Sequence, residues 1–88
     1  MRLDKFLKVS RLIKRRTVAK DICDAGRISI NGKTAKAASE VKVGDVLTIG
    51  YGSKRTEAEV LLLAESMKAD LADTMYKIIG ETRIPLDE

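Results

Sequence analysis

Histidine and tryptophan are absent from these 88 residues, and there is one cysteine and one proline. Without histidine the chain has lost the commonest general base near neutral pH and the commonest transition-metal ligand. The single cysteine, Cys23, cannot close an internal disulfide, which fits a reducing compartment. It falls at an apolar position of an expected helix, where a cysteine is usually a small inert hydrophobe. Aromatic residues number three, Phe6, Tyr51 and Tyr76, so stacking on splayed single-stranded bases is not the expected mode of any nucleic-acid binding. No apolar run reaches the length of a membrane span. Lys5, Lys8 and Arg11 also interrupt the N-terminal stretch that a secretory leader would need, so a cytoplasmic protein is expected. Neither a phosphate-cradling Walker loop nor a dinucleotide fingerprint occurs; the six glycines fall at expected turns. Asp70 and Asp73 have no metal-ligating company and read as a solvated face. No catalytic constellation, metal or cofactor is expected.

What the chain does have is polarised charge. Its net charge of +4 averages two opposite halves: residues 1–36 carry eleven basic residues against three acidic, and residues 37–88 carry six against ten. A basic half of net +8 beside an acidic one of net −4 suits a polyanion-binding face with the remainder kept soluble and off it. The competing reading is a solvated surface, but a pure solubility device would mix both signs. Lys54, Lys68 and Lys77, in the acidic half, are expected to lie outside the binding face.

Residues 3–13 read as a helix with Leu3, Phe6 and Leu7 on its apolar side. A second helix is expected with Thr17 as its cap, Val18, Ala19, Ile22 and Cys23 as its inner face and Gly26 as its left-handed exit. Ile28–Ile30 alternates as a strand, Asn31-Gly32 is a two-residue hairpin turn, and Lys33 to Ala37 would return. Val43-Gly44-Asp45 is a further turn before a strand at Val46–Ile49. Tyr51 to Lys54 is another turn, and Glu57 to Leu63 a strand that pairs back. Leu71, Met75, Ile78 and Ile79 fall at helical spacing, which predicts an amphipathic helix over about 67–79, ended by Gly80 and Pro85.

The basic residues of the first half have informative spacing. Arg2, Lys5 and Lys8 are three apart and share one side of the first helix. Arg11 follows. Lys14-Arg15-Arg16 crowds the entry to the second helix, where outward-pointing peptide N–H groups favour a phosphate, and Lys20 stands one turn on. Lys33 and Lys36 flank the hairpin. Together these ten residues form the expected contact set for the phosphate backbone of a structured RNA. Asp4 is expected to orient Lys5 or to pair with Lys8 at i,i+4, and Asn31 and Gly32 to be turn chemistry and not ligands.

Arg2-Leu3-Asp4-Lys5-Phe6-Leu7, Arg16-Thr17-Val18-Ala19, Gly26-Arg27-Ile28-Ser29-Ile30-Asn31-Gly32 and Gly44-Asp45 together resemble the RNA-binding module named after small-subunit ribosomal protein S4. The likeness covers roughly residues 1–50. Where that family often has Ser before the arginine, this chain has Arg15. The elements read above make an α+β fold, two N-terminal helices packed on a small, mostly antiparallel sheet plus the C-terminal amphipathic helix, and the resemblance implies that it is of the S4-like αL type. Residues 1–63 would be the RNA-binding domain with its sheet, and 64–88 a helical extension of it. A chain without a catalytic domain is most similar to the stand-alone branch related to the heat-shock protein of fifteen kilodaltons, in its short Gram-positive, ribosome-associated quality-control form. Membership of that branch implies a ribosome-associated monomer as an accessory factor. It would bind large-subunit rRNA and peptidyl-tRNA on stalled complexes and support C-terminal alanine tailing by a NEMF-type factor.

Two other functions remain open on the sequence alone. One is the detached recognition subunit of an RNA-modifying enzyme, which a stoichiometric enzyme partner would reveal. The other is a DNA-binding protein, which competition between structured RNA and duplex DNA would reveal.

Overall fold

The computed structural model describes residues 1–83. Helix α1 (Leu3–Val9) buries Leu3, Phe6 and Leu7, and helix α2 (Arg16–Asp24) buries Ala19 and Cys23. α1 is four residues shorter than its apolar periodicity predicts. Ser10 is the reason: its hydroxyl donates to the Leu7 carbonyl (3.3 Å) and accepts from the Leu12 N–H (3.4 Å), giving the backbone an alternative to further helix. Arg11 then takes φ +61°, the left-handed exit usually given to glycine. α2 ends as its sequence predicts. Gly26 (φ +75°) and Arg27 donate to the Cys23 and Ile22 carbonyls (3.0 and 3.1 Å), the paired bonds of a Schellman motif.

Five antiparallel strands follow: β1 (Ile28–Ile30), β2 (Lys33–Thr34), β3 (Val46–Tyr51), β4 (Lys54–Val60) and β5 (Tyr76–Arg83). They lie in the order β2-β1-β3-β4-β5. Asn31 and Gly32 have φ +52° and +86°, the two positive values of the tight turn whose twist matches its strands. Period-two alternation sends Leu47, Ile49, Ala58 and Val60 to the buried side. There Leu47, Ile49 and Val60 meet the inner faces of α1 and α2 in one core with Ile28, Val41 and Met75. The expected strand to Ala37 is only two residues long, and β4 starts three residues earlier than expected.

The C-terminal helix is the main correction. Residues 69–75 form 3₁₀ turns, and 76–83 form the edge strand β5, hydrogen-bonded along β4. The four apolar residues at helical spacing do not share a buried side: Met75 is buried, whereas Leu71, Ile78 and Ile79 are exposed. Tertiary pairing decides the outcome, because β4 needs a partner and Tyr76, Ile78 and Ile79 have strand-forming side chains. Glu57 and Ala58 face Gly80 and Ile78, so Ile79 is the extra residue of a bulge. A bulge interrupts the alternation, which accounts for two consecutive exposed isoleucines. Pro85 lies outside the described residues. In place of a helical extension, residues 76–83 complete the sheet.

Candidate RNA interface

The amino end of α1 is held by the segment before β3. The N–H groups of Leu3 and Asp4 donate to the Ser39 and Ala37 carbonyls (2.8 and 3.1 Å), and the Val41 N–H donates to the Met1 carbonyl (2.8 Å). The Asp4 side chain is consequently buried, only 3% exposed. Arg2 donates to both of its oxygens, Nε to Oδ1 at 3.2 Å and a terminal nitrogen to Oδ2 at 3.3 Å. Nε of Arg16, twelve residues beyond Asp4, stands 3.6 Å from Oδ2. The expected partners of Asp4, Lys5 and Lys8, are therefore replaced by two arginines. A buried carboxylate must be paired, and here one anion serves two guanidiniums whose side chains are half exposed. The cluster keeps an excess positive charge: two hydrogen bonds fix the direction of the Arg2 guanidinium, and the ion pair draws that of Arg16 toward the same carboxylate. That suits bidentate phosphate recognition, which an arginine performs and a lysine does not.

Arg16 also opens α2. Arg15 occupies the N-cap position in extended backbone (φ −113°), and no side chain caps the helix. Thr17, the expected cap, is instead the second residue of the helix, which starts two residues sooner than expected. The first N–H groups of α2 are left for an outside acceptor, next to Lys14, Arg15 and Arg16. Among the described residues, Lys8, Arg11, Lys14, Arg15, Lys20, Lys33 and Lys36 are exposed and form no ion pair. Lys36 adjoins Ala37, whose carbonyl receives the Asp4 N–H, so the hairpin flank reaches the α1 end of the surface. Lys5 differs from the rest: it pairs with Glu65 and holds that carboxyl below its usual value.

Asn31 has a structural role, as its turn chemistry predicts. Its side chain donates to Asp45 Oδ1 (3.0 Å) and accepts from the Val46 N–H (2.9 Å), tying the hairpin to the Gly44-Asp45 turn. Cys23 is buried, and burial, followed by the charges of Asp4 and Asp24, pushes its thiol up to about 11. The reactive thiolate is therefore scarce at neutral pH. Among the described residues no group of three His, Cys, Asp or Glu side chains is placed to hold a metal ion, and no helix is long and apolar enough to cross a membrane.

Sequence reasoning missed one residue. Lys54, assigned by charge counting to the acidic half, lines the same open cleft as Lys14 and Arg15. No local pattern signals this, since forty residues separate Lys54 from Lys14 and only the sheet brings them together.

The S4 domain family model matches residues 1–47. The RQC P-site tRNA stabilizing factor of Bacillus subtilis is 56% identical over 84 residues, covering 96% of this chain and 98% of that protein. The factor of the same name from Halalkalibacterium halodurans is 50% identical over the full length of both chains. Among solved structures, trimeric heat shock protein 15 of Vibrio cholerae superposes with a TM-score of 0.81 at 26% identity, covering 89% of this chain and 80% of that one.

Proposed function

Since this chain belongs to the S4 domain family, we infer that it is an RNA-binding accessory factor of ribosome-associated quality control that steadies the P-site tRNA. It acts as a monomer, binds rRNA of the large subunit together with peptidyl-tRNA on stalled complexes, and supports alanine tailing by a NEMF-type factor. It catalyses no reaction itself. The names and near-complete coverage of the relatives support the process and the tRNA. The observation that carries the RNA-binding surface is the buried Asp4 carboxylate shared by Arg2 and Arg16, beside the uncapped start of α2.

The geometry suits a mechanism of support. Arg2 and Arg16 grip phosphates of a folded RNA from a fixed orientation, and the first N–H groups of α2 add donors. Lys8, Arg11, Lys14, Arg15, Lys20, Lys33 and Lys36 add neutralising charge, which makes affinity fall with salt by roughly 0.7–0.9 log units per log unit for each phosphate contacted. Lys5 contributes after releasing Glu65. A rigid cationic face of this kind lowers the free energy of one RNA arrangement without chemistry, as a factor that holds a tRNA between rounds of elongation requires.

Sedimentation of the tagged full chain through a gradient tests this reading. The tag should travel with large subunits that retain a P-site tRNA and leave them as salt is raised. Co-migration with a stoichiometric enzyme and no ribosomal particle would overturn it.

A further inference from the structure

The cleft shared by Lys14, Arg15 and Lys54 has a volume of about 510 Å³. Two separate parts of the chain supply its cations: the segment entering α2 gives Lys14 and Arg15, and the first residue of β4 gives Lys54. Its remaining lining is largely aliphatic, with Leu12, Val18 and Ile49. A surface that touched phosphates alone would be served by charge on a flat face. Cations around an aliphatic recess instead suit a ligand with an anionic end and a flat, weakly polar body, and the volume falls in the range of small-ligand sites.

We propose that this cleft receives one unpaired nucleotide of the bound RNA, its base packed on Leu12, Val18 and Ile49 and its flanking phosphates on Lys14, Arg15 and Lys54. The proposal rests on the RNA-binding reading above and deepens it. Extruded bases are held by apolar as well as aromatic side chains, and extrusion costs least where the base is already unpaired. A loop or bulge is therefore the expected source. Lys54 now pairs with Glu81 at 2.9 Å, and both side chains are half exposed. Such a pair is weak, so an RNA phosphate replaces the carboxylate in an exchange of one anion for another.

Fluorescence anisotropy of the full chain tests the proposal with three hairpin RNAs. One is fully paired, one carries a single-nucleotide bulge, and one has an abasic residue at the bulge. The bulged hairpin should bind about tenfold tighter than the other two. Lys54→Ala should lower the salt slope for it by about 0.7–0.9, the value of one lost phosphate contact, and Glu81→Gln should tighten binding. Val18→Thr, which keeps the shape of a half-buried side chain but adds a hydroxyl to the floor, should shrink the preference for the bulge. Equal affinity for all three RNAs, or an unchanged slope in Lys54→Ala, overturns the cleft proposal. If Arg16→Ala still abolishes binding in that case, the RNA-binding reading stands. A parent protein that binds none of the hairpins and no ribosomal RNA overturns that reading as well.

Discussion

The two ends of the molecule treat charge in opposite ways. Around α1, α2 and the β1–β2 hairpin, eight cations, Arg27 among them, stand exposed with no ion pair among the described residues, and Arg2 and Arg16 share one buried carboxylate. On β4 and β5, Lys54 and Glu81 pair with each other in solvent. The acidic end mixes both signs, which keeps a protein soluble and costs the fold nothing. The basic end accumulates like charge, which opposes folding through self-repulsion and is compensated only when a polyanion arrives. Asp4 marks the difference most clearly: it is an anion placed inside the cationic surface, yet it is buried where it holds guanidiniums without neutralising the face they present.

Removing that anion should have the largest effect. Asp4→Ala leaves Arg2 and Arg16 without their anchor; both are half exposed and can rehydrate, so the loss of stability should be about 2 kcal/mol rather than the ~3–5 kcal/mol of a fully buried pair. RNA affinity should fall although the net charge becomes more positive, which binding titrations beside urea melts would show. Tighter binding would mean that charge alone, without orientation, makes the face.

Cys23 comes next. Cys23→Ala should cost about 1 kcal/mol at neutral pH and leave RNA binding intact. With the folded thiol at about 11 against an ordinary value of 9.0, the unfolded chain ionises first as pH rises, so the contribution present below pH 9 drains away between 9 and 11. The parent should lose about 2 kcal/mol more than Cys23→Ala over that window, read from urea melts of both proteins. Parallel pH profiles would show that the thiol is not shielded.

Arg11→Gly should move stability and binding in opposite directions. Glycine relieves the left-handed backbone at φ +61° and gains about 1 kcal/mol in thermal or urea melts. Loss of one cation from the face should weaken RNA binding severalfold. A variant that gains stability without losing affinity would remove Arg11 from the contact set.

The smallest effect is expected at the acidic end. Reversing Lys68 and Lys77 together should change stability by less than about 0.5 kcal/mol and leave RNA affinity nearly unchanged. A marked loss of binding would erase the contrast between the two ends.

Local chemistry made much of the fold legible. Gly26 as the exit of α2, the Asn31-Gly32 turn and the Gly44-Asp45 turn each follow from backbone preferences that depend on a few adjacent residues. The basic face was legible from a charge count. What the sequence concealed depends on distant partners. α1 stops at Val9 because Ser10 bonds back to Leu7 and Arg11 accepts a glycine's conformation, neither of which the apolar spacing records. Residues 76–83 become a strand because β4 lies open beside them. The link from Asp4 to Arg16 spans twelve residues and forms only when two helices pack, and Lys54 reaches the cleft only through the sheet.

The most direct test of the central claim is co-sedimentation of Arg16 variants with large ribosomal subunits, each variant first shown by thermal melting to be folded. If an oriented guanidinium grips phosphate, Arg16→Ala should weaken association strongly and Arg16→Lys should recover only part of it, since an ammonium supplies the charge without the two-pronged geometry. Equal binding by the parent and Arg16→Ala would contradict the assignment of the site, and full recovery by Arg16→Lys would contradict the role of orientation.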